Sequence, residues 1–272
     1  MSELVSTNWV YKNLTNRKLV ILDCSWHMPQ EKRDAKKEYD KMHIKNTYFF
    51  DIDKISDIKT NLPHMLPSQR KFEEKVRSFG INQNSLIVTY DVKGIFSSPR
   101  VWWMFKTMGH QHIAVLNGGL PDWVSNGFET ETITKKDYKT GAFKATLNPE
   151  MIKDFKFIKD NTITQNSLLI DARSSGRFKG LAPEPRKELK SGHIPNSINI
   201  PFEDVLDNGK LKSKNELNSI FKSLKTENRP LVFSCGSGIT ACIVLLASEQ
   251  ILNNKTSVYD GSWTEWATLE PQ

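Results

Sequence analysis

The fold is decided by the stretch LVFSCGSGITACIVLLA, residues 231–247. Its first residues, Leu231 to Phe233, form an apolar run that is typical of a buried strand. Gly236 and Gly238 then permit a tight loop, and the apolar run Ala241 to Ala247 follows at once. A strand, a short glycine loop and a helix in direct succession predict a βα unit of a parallel sheet.

Further short apolar runs alternate with segments of helical period along the chain. The strand-like runs are Leu19 to Leu22, Leu86 to Thr89, Leu168 to Ile170 and Leu231 to Phe233, and the helical segments include Glu216 to Leu224 and Thr240 to Leu252. This alternation predicts an α/β fold with mostly parallel sheets flanked by helices. Ligands of such sheets bind beyond the carboxyl ends of the strands, so the residues that follow the runs are the candidates for function.

The chain repeats itself once. The matching landmarks are Asp23 with Asp171, Met42-His43-Ile44 with Gly192-His193-Ile194, Leu86 to Asp91 with Pro230 to Cys235, and Asn117-Gly118-Gly119 with Asp260-Gly261-Ser262. Their order is the same in both copies, which indicates a duplicated domain. We predict an N-terminal domain over residues 1–128, a polar linker over 129–141 and a C-terminal domain over 142–272.

The composition is that of an ordinary globular protein of 272 residues, with a formal charge of +7. Cys24, Cys235 and Cys242 are too few for a disulfide framework, and no Cys/His cluster has the spacing of metal ligands, so we expect no metal and no cofactor. Scattered basic pairs argue against nucleic-acid binding. The longest strongly apolar stretch, 241–247, is too short to span a membrane, and the N-terminus lacks the pattern of a targeting signal, so a cytoplasmic location is expected.

Cys235 is the candidate nucleophile because it lies between a strand and the start of a helix. The loop from Gly236 through Gly238, Ile239 and Thr240 can turn successive N–H groups toward one anion, and the helix end adds to that field. A thiolate is stabilised in such a place. We expect Thr240 to cap the helix, and we expect Cys242 to be a small apolar residue on its inner face.

The first copy carries Asp91 where the second has Cys235, so it lacks the candidate nucleophile and is predicted to be catalytically inactive. His43 and His193 occur at matching positions and are interpreted as structural. Asp23 and Asp171 follow strands in both copies and are expected to bind loop backbone. The tryptophans at 102, 103, 123, 263 and 266 are interpreted as packing residues.

These motifs together resemble the rhodanese superfamily. The resemblance rests on Cys235-Gly236-Ser237-Gly238-Ile239-Thr240, Gly192-His193-Ile194-Pro195 and Tyr259-Asp260-Gly261-Ser262-Trp263, and it covers nearly the whole chain. It implies two tandem rhodanese-like domains and a persulfide on Cys235. More narrowly, the chain resembles the members that take sulfur from 3-mercaptopyruvate and release pyruvate. The implied acceptor is a thiol, such as thioredoxin or a small thiol, or cyanide.

The residues after the cysteine bear on the sulfur donor. Members that use thiosulfate typically have basic side chains there, whereas this chain has Gly236 and Ser237. A keto-acid donor needs a carboxylate anchor, and the resemblance assigns that role to Arg177 and Arg186. Glu184 and Glu188 lie close in sequence to both arginines. Simple salt bridges therefore remain an alternative, most of all for Arg186.

Cleavage of the donor leaves an enolate, which must be protonated. A relay of Ser237, His64 and Asp53 could supply the proton. His64 and Asp53 stand on a segment of the first domain that resembles the family's Asp-Ile-Asp and His-Met-Leu-Pro elements. If the three residues act together, the resemblance implies an active site between the domains.

Three other functions are compared with this prediction. A thiosulfate-specific sulfurtransferase is disfavoured by the uncharged loop. A cysteine-dependent phosphatase requires an arginine six positions after the cysteine, and Ala241 stands there. A non-catalytic binding module is disfavoured by the intact Cys235 loop.

Overall fold

The computed structural model describes residues 2–132, 139–222, 224 and 229–270. The chain divides into two compact units. The first comprises Met1–Ile58, Leu66–Leu147 and Asn208–Lys210, and the second comprises Lys59–Met65, Asn148–Asp207 and Leu211–Gln272. Both units have the predicted α/β architecture.

A parallel sheet forms the centre of the first unit. The strands of this unit are β1 (Leu4–Val5), β2 (Leu19–Asp23), β3 (His43–Ile44), β4 (Thr47–Phe49), β5 (Leu86–Tyr90), β6 (Ile113–Leu116) and β7 (Thr130–Glu131). Its helices are α1 (Thr7–Asn13), α2 (Ala35–Lys41), α3 (Ile52–Ile55), α4 (Gln69–Arg77), α5 (Ser98–Thr107) and α6 (Gly119–Ser125). The sheet has the order β1-β6-β5-β2-β4, while β3 and β7 form a separate antiparallel pair.

The second unit repeats this arrangement. Its strands are β8 (Ile152–Lys153), β9 (Leu168–Asp171), β10 (Ile198–Asn199), β13 (Leu231–Ser234) and β14 (Thr256–Tyr259), with the short β11 (Leu206–Asp207) and β12 (Lys210–Leu211) between them in sequence. Its helices are α7 (Phe155–Thr164), α8 (Ser175–Phe178), α9 (Lys214–Lys222), α10 (Ala241–Glu249) and α11 (Ser262–Leu269). The sheet order β8-β14-β13-β9-β10 is the same as in the first unit, which confirms the duplication.

The central strands are buried on both faces because helices pack on either side of a parallel sheet. All four residues of β13 are buried, and Val232 belongs to a core with Trp263 and Trp266. In the first unit, Val88 and Trp123 lie in the corresponding core. The prediction that the tryptophans are packing residues is confirmed by their burial.

Helix α10 coincides with the helix predicted after the cysteine loop. All of its residues from Ala241 to Ser248 are buried, as expected for a helix that is apolar around its whole circumference. Thr240 occupies the cap position, but its side chain makes no capping bond, contrary to our expectation. Its backbone is already helical, and the Ile243 N–H bonds its carbonyl instead. Within the described residues, none of the helices has both the length and the apolar character that a membrane crossing needs.

The boundary between the units differs from the predicted one. Residues 142–147, expected to begin the second domain, belong to the first unit. The ring of Phe143 is fully buried beside Phe72 and Phe105, and its N–H donates to the Ile81 carbonyl at 3.1 Å. The burial of this aromatic ring accounts for the shift. Within the predicted linker, residues 130–131 form β7, and residues 133–138 lie outside the described part.

Candidate active site

Cys235 lies directly after β13 and is 2% exposed. Its backbone N–H donates to the Ser262 hydroxyl at 3.2 Å, and its carbonyl accepts the Trp263 N–H at 2.9 Å. The Ser262 hydroxyl in turn donates to the Tyr259 carbonyl at 2.9 Å. The start of α11 therefore fixes the backbone of the cysteine.

The loop after Cys235 is held in the same way. The Gly236 carbonyl accepts both the N–H of Thr264, at 3.1 Å, and its hydroxyl, at 2.7 Å. Gly238 has a φ of +80°, a conformation that side chains disfavour, so glycine is required at this turn. In the described part of the chain, the N–H groups of Gly236, Ser237 and Ile239 meet no protein acceptor. The loop can therefore offer these N–H groups to an anion.

Ser237 and His64 are in contact. The Ser237 Oγ lies 2.9 Å from His64 Nδ1, and both side chains are buried. His64 has a φ of 60°, which is uncommon for a residue with a side chain. We expected His64 in the first domain, but the segment Lys59–Met65 belongs to the second unit. The serine and the histidine are thus parts of one unit.

Asp53, the predicted third member of the relay, lies in α3 of the first unit. Its side chain is exposed, and its Oδ2 accepts the indole N–H of Trp26 at 3.2 Å. Its role toward His64 stays a prediction.

Arg177, in α8, has its guanidinium beside the cysteine loop. A Cβ atom at Gly236 would stand 3.0 Å from Arg177 Nη2, closer than ordinary van der Waals contact. The Arg177 Nε also lies 3.2 Å from each carboxylate oxygen of Glu184. The alternative salt bridge between Arg177 and Glu184 is therefore formed, and it holds the Arg177 guanidinium next to the cysteine loop.

Glu184 also binds a second arginine, which the sequence analysis missed. Arg173 Nη1 donates to Glu184 Oε1 at 2.7 Å, while its Nε donates to Asp171 Oδ2 at 3.0 Å. The guanidinium of Arg173 stacks over Trp263 at 4.3 Å. Burial opposes its charge, but the two carboxylates outweigh burial and raise the pKa of Arg173. The arginine two residues after a strand-end aspartate was the available signal.

Arg186 approaches the loop through one intermediary. Its Nη1 lies 3.5 Å from the hydroxyl of Thr264, which itself bonds the Gly236 carbonyl. Thr264 and Ser262 are two further residues that the sequence analysis did not identify. Hydroxyl residues at a helix start are common, so their pattern carries little information.

The corresponding loop of the first unit encloses a carboxylate. Asp91 Oδ2 accepts the N–H groups of Phe96, Ser97 and Ser98 at 2.9, 3.0 and 2.9 Å. The Ser98 hydroxyl donates to the same oxygen at 2.7 Å. A loop that follows the fourth strand of such a sheet can therefore bind a negative group with backbone N–H donors.

The two strand-end aspartates bind loop backbone as predicted. Asp23 Oδ1 accepts the Ser25 N–H, and Asp171 Oδ1 accepts the Arg173 N–H, both at 2.9 Å. The matching histidines also agree with a structural role, because His43 and His193 each place Nδ1 within 3.0 Å of a backbone carbonyl and stack on an aromatic ring.

The other two cysteines are fully buried. Burial, followed by the charges of Asp23 and Asp91, raises the pKa of the Cys24 thiol well above its usual range. Cys242 is fully buried, as predicted, and its thiol lies 3.3 Å from the Gly238 carbonyl. The environment of Cys24 therefore disfavours a thiolate. Among the described residues, no group of three or more His, Cys, Asp or Glu could hold a metal ion.

Comparison with known proteins identifies the family. The Rhodanese-like domain family matches residues 6–126 and 155–269. The 3-mercaptopyruvate sulfurtransferase of Mus musculus is 40% identical, over 97% of this chain and 91% of that protein. The thiosulfate sulfurtransferase of Rattus norvegicus is 38% identical, over 98% of this chain and 93% of that protein. The crystal structure of SseA from Escherichia coli, described among 3-mercaptopyruvate sulfotransferases, matches with a TM-score of 0.88 and 34% identity, covering 97% of this chain and 99% of that one. The chain therefore belongs to the rhodanese family and carries two rhodanese-like domains.

Proposed function

We propose that this chain is a sulfurtransferase that takes sulfur from 3-mercaptopyruvate onto Cys235 and passes it to a thiol or to cyanide. Relatives named for either donor have nearly the same identity to it, 40% and 38%, so the donor must be argued from the site. The observation that carries the proposal is the position of the Arg177 guanidinium: its Nη2 lies 3.0 Å from where a Cβ atom at Gly236 would stand. A side chain at position 236 would crowd the Arg177 guanidinium, the group that suits a carboxylate.

The sulfur transfer has two steps. The Cys235 thiolate attacks the sulfur of 3-mercaptopyruvate, and the C–S bond of the donor breaks with its electron pair on carbon. This gives a Cys235 persulfide and the enolate of pyruvate, which takes up one proton. In the second step, an acceptor thiolate attacks the outer sulfur and Cys235 leaves as thiolate.

The cysteine loop supports the first step. The persulfide is an anion, and the N–H groups of Gly236, Ser237 and Ile239 are available to it together with the N-terminal end of α10. The same N–H groups, together with Gly238 and Thr240, would also contact 3-mercaptopyruvate. The carboxylate of the donor pairs with Arg177, and Arg186 adds a second positive charge through its position at Thr264.

The Ser237 and His64 pair supplies the proton of the enolate. Their 2.9 Å contact allows a proton to pass between imidazole and hydroxyl, and Ser237 is two residues from the nucleophile. In this proposal Asp53 orients the imidazole. Protonation converts the enolate to pyruvate, so the enolate can no longer attack the persulfide and reverse the first step.

The acceptor and the location are part of the proposal. A thiol such as thioredoxin or a small thiol regenerates Cys235. Cys24, Cys235 and Cys242 are all free thiols, which suits a reducing compartment, and we propose the cytoplasm. Cell fractionation tests this, and recovery with mitochondria would contradict it.

Steady-state kinetics with both donors tests the reaction. We expect kcat/KM for 3-mercaptopyruvate to exceed that for thiosulfate. After donor treatment without acceptor, mass spectrometry should find one added sulfur on Cys235. Cys235→Ser should abolish turnover, whereas Cys24→Ser and Cys242→Ser should retain most of it. A preference for thiosulfate, or a persulfide mainly on Cys24, would overturn the assignment, and absence of transfer from either donor would favour a binding module.

A further inference from the structure

Glu184 occupies a central place among the charges beside the cysteine loop. Its side chain is almost fully buried and contacts two arginines, Arg173 through Oε1 and Arg177 through both oxygens. A buried carboxylate is costly unless it is paired, and here it is paired twice. The same carboxylate therefore fixes the orientation of Arg177 and offsets its charge.

The charges of this network cancel. Arg173 and Arg177 contribute two positive charges, and Asp171 and Glu184 contribute two negative charges within direct contact. Beside the loop, the field of Arg177 is thus weaker than that of an isolated guanidinium. The contacts with Glu184 use Nε and Nη2 of Arg177, so Nη1 is the group that a donor carboxylate would meet.

We propose that Glu184 determines donor specificity by lowering the positive charge beside Cys235, so that a monocarboxylate donor is accepted and dianionic thiosulfate is disfavoured. The inference rests on the proposed function, because it concerns the donor of that same reaction. 3-Mercaptopyruvate needs directed hydrogen bonds and carries one charge when its thiol is protonated. Thiosulfate carries two charges and gains more from any added positive charge.

A second carboxylate acts in the same direction. Glu203 lies in the turn Phe202–Val205 and interacts electrostatically with Arg177. Because Glu203 is exposed, its effect on the donor should be smaller than that of Glu184.

The test compares two donors in Glu184→Gln. The amide keeps an oxygen that can accept from Arg177 but removes the charge. We expect the ratio of kcat/KM for thiosulfate to that for 3-mercaptopyruvate to rise on the order of tenfold, the effect of one uncompensated charge at a partly screened site. The matched control is Glu188→Gln, which removes the same charge from an exposed residue in the same segment and should leave the ratio unchanged.

Salt dependence separates charge from structure. The gain for thiosulfate should shrink as salt is added, because screening acts on charge and not on packing. Glu203→Gln is the second variant, with an expected rise on the order of threefold, and it decides the matter if Glu184→Gln does not fold. An unchanged ratio in the folded variants would overturn the proposal. The donor preference of the wild type is measured separately and tests the proposed function, which a preference for thiosulfate would contradict. The change in the ratio between wild type and variant tests the role of Glu184.

Discussion

Asp91 and Cys235 occupy the same place in the two units: each follows β5 or β13, the fourth strand along the chain of its five-stranded parallel sheet, and begins the loop that leads into a helix. The carboxylate of Asp91 is bound by the N–H groups of its own loop. No such carboxylate stands at Cys235, where the thiolate or persulfide would be the negative group. In the first unit, the anion-binding loop is therefore occupied by the carboxylate of its own Asp91.

Asp91→Ala should destabilise the protein strongly. Four backbone donors, those of Lys93, Phe96, Ser97 and Ser98, and the Ser98 hydroxyl would lose their acceptor, and each buried unsatisfied group costs about 1 to 3 kcal/mol. We expect a loss of at least about 3 kcal/mol in the free energy of unfolding, measured with urea. The control is Asp34→Ala, an exposed helix cap that should cost about 1 kcal/mol. Equal losses in the two variants would contradict the role of Asp91.

Asp23 should make stability depend on pH. It is buried, burial raises its pKa from 3.8 to about 6, and among the described residues no Lys or Arg pairs with it. Because the folded state holds this proton more tightly than the unfolded state, stability falls as pH rises from about 4 to 6, by about 2 to 3 kcal/mol.

Asp23→Asn should remove that loss. As pH rises from about 4 to 7, the free energy of unfolding of the variant should increase relative to that of the wild type. Urea unfolding at several pH values measures this difference. Parallel curves for the two proteins would show that Asp23 does not titrate in this range.

Ser237 and His64 should act as one unit. A positioned acid contributes about 10²- to 10⁴-fold, and residues that act together lose their contributions non-additively. Ser237→Ala and His64→Ala should each slow turnover of 3-mercaptopyruvate, and the double variant should be little slower than the more damaged single one. Asp53→Asn should resemble them. If the penalties multiply, water protonates the enolate instead.

Arg177→Ala should lose roughly 10- to 150-fold in kcat/KM with 3-mercaptopyruvate, as expected for about 1.5 to 3 kcal/mol of charged hydrogen bonding. Arg186→Ala should lose less, because Arg186 reaches the loop only by way of Thr264. Alkylation of Cys235 by neutral iodoacetamide provides the control and should keep its rate. A parallel loss of that rate would show that Arg177 acts on Cys235 itself and not on the carboxylate of the sulfur donor.

Local pattern was sufficient to predict the repeat, the sheets and the position of Cys235, because each depends on residues that are neighbours in sequence. The contact between Ser237 and His64 could be suggested only by resemblance, since the two residues are far apart in the chain. The pairing of Glu184 with Arg173 depends on how a loop returns to the strand end, which no periodicity encodes.

The division of the chain has a consequence for anyone who would separate the duplicated halves. Three short segments, 59–65, 142–147 and 208–210, fall on the other side of the boundary that the repeat suggests. A gene fragment starting at residue 148 would lack His64, and one ending at residue 128 would leave the pocket of Phe143 unfilled. No single cut between the two halves of the sequence therefore keeps both compact units whole.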